Sequence, residues 1–201
     1  MKKFISLLST ILLFSSQCET NIYKRDNLNI HLVKGDILKL DVDAIVNPAN
    51  RSLKHLGGLC GKIHDAAGVE LEKECLQRHP KGIQAGEAII TKGYKLKAKH
   101  VVHTPGPDCR IENENKLRKD LLTKSYQNSL KVAEDAKLKS IAFPTISTGI
   151  FEFPMEEAAK IAIETALNYK LKTVKDIYFV VFNDKEFLVY KKLLDDSFKA
   201  K

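Results

Sequence analysis

The sequence predicts an α/β sandwich with a largely covered sheet. Three observations lead there. Short apolar runs alternate along the chain with longer stretches of helical periodicity. One run, Ile177-Tyr178-Phe179-Val180-Val181, is continuously apolar, as a strand buried on both faces is. A chain of 201 residues, 44% hydrophobic and 29% charged, is enough for one soluble domain with a full core.

At the start, Lys2 and Lys3 precede an apolar run from Phe4 to Phe14 and then a small polar stretch. That is the order of a secretory signal peptide, and the run is short for a membrane span. Residues 1–20 are therefore expected to be a removable leader, which makes the protein exported if it is cleaved and cytoplasmic otherwise. Losing two lysines and one glutamate takes the formal charge from +8 to +7. Gln17 stands where a lipidated Cys18 would need a small residue. Residues 21–27 read as a tether, and residues 28–201 as the domain.

Leu28 to Val33 alternates polar and apolar, a half-buried strand. Asp43 to Val46 is a short buried strand. Gly58 to Ala67 and Val69 to Arg78 read as helices broken at Gly68. Glu87 to Thr91 and His100 to His103 are strands between glycine and proline punctuation. Asn115 to Ala136 is a long amphipathic helix with Leu117, Leu121, Leu122, Tyr126, Leu130 and Ala133 on one face. Ser140 to Thr145 is a strand, Pro154 to Tyr169 a helix opened by proline, Asp176 to Phe182 a strand, and Lys185 to Asp195 a helix.

Ligands bind outside the ends of such strands. Two loops there have the right chemistry. Glycines 57, 58 and 61, beside a helix start, let backbone N–H groups approach an anion. Ser147, Thr148 and Gly149 offer hydroxyls and N–H donors after another buried strand. Two such cradles suit a diphosphate. A P-loop is excluded, because Leu56 and Ile63 stand where it needs Gly and Ser or Thr, and the glycine spacing does not match the dinucleotide fingerprint either. The four cysteines form no CxxC pair and no disulfide framework, and three remain if the leader is lost. The lysines are spread along the chain, so the basic charge does not call for nucleic acid.

Five ordered motifs, "GDI" (35–37), "AIVNPAN" (44–50), "LKHLGGLCGKIHDAAG" (53–68), "GEAIITKGYKLKAKHVVHTPGP" (86–107) and "IAFPTISTGIFEFP" (141–154), resemble those of macrodomains over nearly all of residues 28–201. The form around Lys54, His55 and the glycine pair is most similar to viral macrodomains and to those attached to large ADP-ribosyltransferases. The resemblance implies a three-layer α/β/α sandwich with a mixed central sheet and an ADP-ribose ligand. By it, Asp36 accepts from the adenine amino group, Ile37 packs near the ring and Phe182 packs at the adenosine end. Gly57, Gly58 and neighbouring N–H groups, with Leu59 and Cys60 on the same helix start, hold the distal ribose and one phosphate. Ser147, Thr148, Gly149, Ile150 and Phe151 cradle the diphosphate, with Phe151 over the distal ribose. Asn50 bonds a distal ribose hydroxyl, and Asn47, counted with the ligand residues, braces the loop.

The resemblance also implies hydrolysis of mono-ADP-ribosyl esters on Asp or Glu side chains, or of O-acyl-ADP-ribose, with Asn50, Gly58 and Phe151 carrying turnover. The alternative is a reader module that binds without turnover. No cofactor or metal is implied, since His55, Cys60, His64, Cys75 and His79 have no standard ligand spacing. The expected partner is ADP-ribose or an ADP-ribosylated protein, and the expected state is a monomer with no stable membrane span. Three departures bear on turnover. Cys60 stands where several active members carry an aspartate, and a neutral thiol is a poor base. Pro48 stiffens the loop between the asparagines. Leu56 replaces a frequent glycine at the approach to the ribose. Cys60 and His64, four apart on a predicted helix, share a face, which raises the question of a nucleophilic dyad.

Overall fold

The computed structural model describes residues 19–112 and 114–199. Among the described residues seven strands form one sheet. They are β1 (Glu19–Arg25), β2 (Leu28–Lys34), β3 (Ala44–Pro48), β4 (Ile89–Lys92), β5 (His100–Thr104), β6 (Ser140–Phe143) and β7 (Asp176–Val181). Five helices cover it: α1 (Gly58–Ala67), α2 (Val69–Arg78), α3 (Asn115–Asp135), α4 (Met155–Asn168) and α5 (Asp184–Lys199). The strand order is β1-β2-β7-β6-β3-β5-β4. The inner five run parallel, and the two edges, β1 and β4, are antiparallel to their neighbours, so the sheet is mixed.

Strand alternation sorts the core into two layers. Ile141 and Phe143 of β6, with Ile177 and Phe179 of β7, meet Leu122, Tyr126 and Leu130 of α3, Ala159 and Ala162 of α4, and Tyr190 of α5. Ala142 and Val180, one residue out of step, meet Ile63 and Ala67 of α1 and Leu71 of α2 on the other face. The result is the expected three-layer sandwich. Leu117 departs from the expected α3 face: it lies in the first turn of the helix and is 44% exposed.

The stretch expected to be a tether is instead β1. It pairs with β2 along seven positions, from Glu19 opposite Lys34 to Arg25 opposite Leu28. Tyr23 donates its hydroxyl to Asp195 at 2.8 Å, and Arg25 stacks over Phe198. Polar spacing had masked the strand: β1 is an edge whose outer side faces solvent, where lysine and asparagine are tolerated. Residues 1–18, most of the expected leader, lie outside the described residues, and its last two, Glu19 and Thr20, open β1.

The parallel strands all end at one pole. The loops leaving β2, β3, β6 and β7 gather there, which is where the strand order switches direction. At the opposite pole the Asp43 carboxylate accepts from the N–H groups of Lys139 and Ser140 and from Lys99 Nζ, tying the starts of β3 and β6 together.

Candidate functional site

A cavity of about 740 Å³ crosses the carboxyl ends of the central strands. Its floor comes from β7 and from the loops after β2, β3 and β6, and one wall is the start of α1. The size is in the range of cofactor-sized ligands.

The α1 wall is built to face an anion. Gly57 caps the helix without a side-chain hydrogen bond, and the first turn carries no acidic residue. Its leading N–H groups and the positive end of the helix dipole are therefore left for a ligand. Gly58 has φ +67°, the left-handed region where glycine is unstrained. A Cβ built at Gly57, Gly58 or Gly149 meets nothing within 4 Å, so these three glycines keep open the space a ligand would fill.

The facing loop after β6 is held in a strained turn. Ser147 has φ +65° and Glu152 φ +56°, both unusual for residues with side chains. Phe153 N–H donates to Ser147 O, and Glu152 N–H to Gly149 O, closing the loop on itself. Ser147 Oγ is buried and has no protein partner, an orphan hydroxyl at the cavity wall. Gly106 explains the close approach. A Cβ there would stand 2.1 Å from Ser147 Oγ.

The two ends differ. At one, Asp36 Oδ1 accepts from Leu38 N–H at 3.0 Å while the side chain stays exposed, and Ile37 is buried beneath it. Phe182 is 78% exposed there, with Lys62 Nζ 5.9 Å from its ring centroid. An aromatic ring so exposed at a cavity rim is a surface waiting for a flat apolar partner. At the other end Asn50 Nδ2 donates to Lys54 O at 2.6 Å, and Asn50 Oδ1 accepts from Ser52 Oγ and Lys54 N–H. Phe151 lies nearby in the cavity lining, under the Arg110 guanidinium, which Asp108 grips with both oxygens.

The cavity thus gathers Asp36, Ile37, Asn50, Gly57, Gly58, Leu59, Cys60, Ser147, Thr148, Gly149, Ile150, Phe151 and Phe182. Asn47 is the exception. It is fully buried behind the wall, where its amide bonds His103 and Cys60, and it does not line the cavity. Asn47 is still inside β3, so its side chain leaves a face of the sheet rather than the strand's end. Sequence reasoning missed Lys39, Lys62, Gly106, Pro144, Thr145, Val180, Val181 and Glu186 in the lining. Of these, Gly106 alone carried a signal, lying between two prolines just after an apolar strand.

Cys60 and His64 form no dyad. The thiol contacts Asn47 Nδ2, Lys54 O and Asn50 Nδ2, while both ring nitrogens of His64 are buried without a hydrogen-bond partner. Burial pushes the Cys60 thiol up, and the amide donors around it offset this only in part, so it is a protonated thiol at neutral pH. Among the described residues no cluster of His, Cys, Asp or Glu could hold a metal ion, and no helix is long and apolar enough to cross a membrane.

A helix-start cradle and a serine-glycine cradle facing one another over a mixed sheet define a nucleotide-diphosphate-binding α/β/α sandwich. The chain belongs to the macro domain family, whose model matches residues 46–162. It is 45% identical over 169 residues to the O-acetyl-ADP-ribose deacetylase of Cronobacter sakazakii, covering 82% of this chain and 93% of that one. It is 46% identical to the ADP-ribose glycohydrolase MACROD2 of Mus musculus over 84% of this chain, though it spans only 36% of that protein. Among solved structures, the Oceanobacillus iheyensis macrodomain with ADP superposes with a TM-score of 0.87 at 33% identity, covering 92% of this chain and all of that one. These relatives are bacterial and mammalian rather than viral.

Proposed function

We propose that this chain binds ADP-ribose in the cavity and hydrolyses the ester that joins ADP-ribose to an acyl group, either a small acid or an Asp or Glu side chain. One observation carries the reading: Gly57 and Gly58 at a helix start with no side-chain cap face Gly149 and the orphan Ser147 hydroxyl on the opposite loop, and a Cβ at any of the three glycines would meet only open space. The names of the deacetylase and glycohydrolase relatives support the same chemistry.

In this reading Asp36 and Phe182 take the adenosine, the two cradles take the diphosphate, and Asn50 and Phe151 take the distal ribose. The chain's contribution is placement and charge stabilisation rather than an ionised base. Water adds to the acyl carbon, the bond from that carbon to the ribose oxygen breaks, one water proton goes to the ribose oxygen, and the acid leaves as a carboxylate with the other proton released to solvent. The protonated Cys60 takes no proton in this step.

The test is release of label from a substrate modified on Glu or Asp, run beside calorimetry with ADP-ribose. Wild type should bind saturably and release label. Saturable binding without release would overturn the hydrolase half and leave a reader module; absence of binding would overturn both halves. We further infer from the charge and apolar pattern of residues 1–20 that they are a removable leader, which makes the protein exported, with a mature N-terminus near residue 20. Sequencing of the protein from its native host checks it, and an intact Met1 would overturn it.

A further inference from the structure

We propose that His103, which lies outside the cavity, is a positioning residue: with its ring proton committed to Thr91 it sets the amide of Asn47 and, through the Cys60 thiol, the aim of Asn50. The kinetic consequence rests on the hydrolase reading above, and the rest stands on geometry.

His103 on β5, Thr91 on β4 and Asn47 on β3 are all buried. Thr91 Oγ1 lies 2.9 Å from His103 Nε2. The hydroxyl proton has backbone acceptors, Lys92 O at 3.2 Å and Val101 O at 3.4 Å. The Cys75 thiol, 3.7 Å from Nε2 and 4.0 Å from Nδ1, is the ring's other neighbour and serves either tautomer. With the hydroxyl proton on a backbone carbonyl, Thr91 accepts from the ring, which puts the proton on Nε2 and a lone pair on Nδ1 in this proposal. That lone pair faces Asn47 Nδ2 at 3.1 Å. Burial, aided by the charges of His64, His79 and Arg78, pushes the His103 pKa down to about 3, so the ring stays neutral at any working pH.

The Asn47 amide can sit two ways. Its Oδ1 is buried and has no protein partner, so it favours neither. Its Nδ2 has two partners, His103 Nδ1 and Cys60 Sγ at 3.7 Å. A thiol both donates and accepts, so it does not discriminate nitrogen from oxygen. The His103 lone pair does. With Nδ2 turned inward, the Cys60 sulfur accepts and its own proton is free for Lys54 O at 3.8 Å. That same carbonyl holds Asn50 Nδ2, which also lies 4.0 Å from Cys60 Sγ. Reversing the Asn47 amide would draw the thiol proton back to Asn47 and away from Lys54 O, changing the balance of donors at the carbonyl that holds Asn50 at the cavity mouth.

The experiment compares Thr91→Val, similar in shape but without the hydroxyl, with Thr91→Ser, which keeps it. Nitrogen-15 spectra should show His103 as the Nε2–H tautomer in wild type and Thr91→Ser. In Thr91→Val they should show a mixed tautomer with a displaced Asn47 side-chain amide signal. Turnover should fall about tenfold in Thr91→Val with ADP-ribose affinity held within about twofold, and Thr91→Ser should restore it. As a second pair, His103→Asn keeps an acceptor near Nδ1 and should retain turnover that His103→Leu loses. An Nδ1–H tautomer in wild type, wild-type turnover in folded Thr91→Val, or equal losses of affinity and turnover would overturn the proposal. If wild type releases no label the hydrolase reading falls, whereas the tautomer and the Asn47 signal still decide the positioning.

Discussion

Gly149 is an exposed loop glycine whose missing side chain faces only solvent and ligand space. Gly149→Val should leave the melting temperature close to wild type and weaken ADP-ribose binding by at least about tenfold, since a branched side chain would fill the cradle. Calorimetry and a thermal melt on the same sample check it. Asn50 is different, because its amide is held from three sides rather than packed. Asn50→Ala should slow label release about a hundredfold while weakening binding by no more than a few-fold, a split that kcat and Kd measured together would show. Equal losses would count against its role at the distal ribose. His103 sets a pH limit. Its folded pKa of about 3 lies below the value near 6.5 of an unfolded histidine, so the unfolded chain binds the proton first as pH falls. Its contribution is complete above about pH 6.5 and is lost as pH drops from there toward 3. Urea melts across that window should therefore be shallower in His103→Asn than in wild type.

At the scale of elements, α1 and α2 begin and end where the glycine punctuation predicts, because Gly68 at φ +92° can only break a helix. The strands were readable to within a residue or two wherever both faces are apolar. β1 was not, since an edge strand carries no such pattern. Another element-scale device also escaped the sequence. Glu134, at the end of α3, accepts from the N–H groups of Lys172, Thr173 and Val174 and so positions the entry to β7. Burial works to raise its pKa, but those three N–H groups outweigh it and hold the carboxylate below its ordinary value. A depressed carboxylate contributes stability above its unfolded pKa and loses it as pH falls through the folded one. Glu134→Gln should cost about 1 kcal/mol at neutral pH, screened by its exposure, and the cost should shrink in acid. Chemical denaturation at two pH values measures it.

For the whole molecule, the cavity belongs to no single element. Its walls come from loops spaced across the chain, and β1 lies at the far edge of the sheet from β3 and β5. Removing residues 1–26 should therefore lower the melting temperature by several degrees, through the lost pairing with β2 and the lost ties to α5, yet leave ADP-ribose affinity within about twofold. A large loss of affinity would show that the edge strand supports the cavity. The sequence by itself determined the sandwich, the two helices after the first loop and the glycine loops of the cavity, because periodicity and glycine placement are local properties that survive in a linear reading, while the other lining residues it named came from the family motifs. Only the tertiary structure decided what Asn47 braces against, that Cys60 pairs with amides rather than with His64, and that Thr91 and His103 stand behind both. Those residues come from three different strands and a helix, and hydrogen bonds between them exist only once the sheet has set its register.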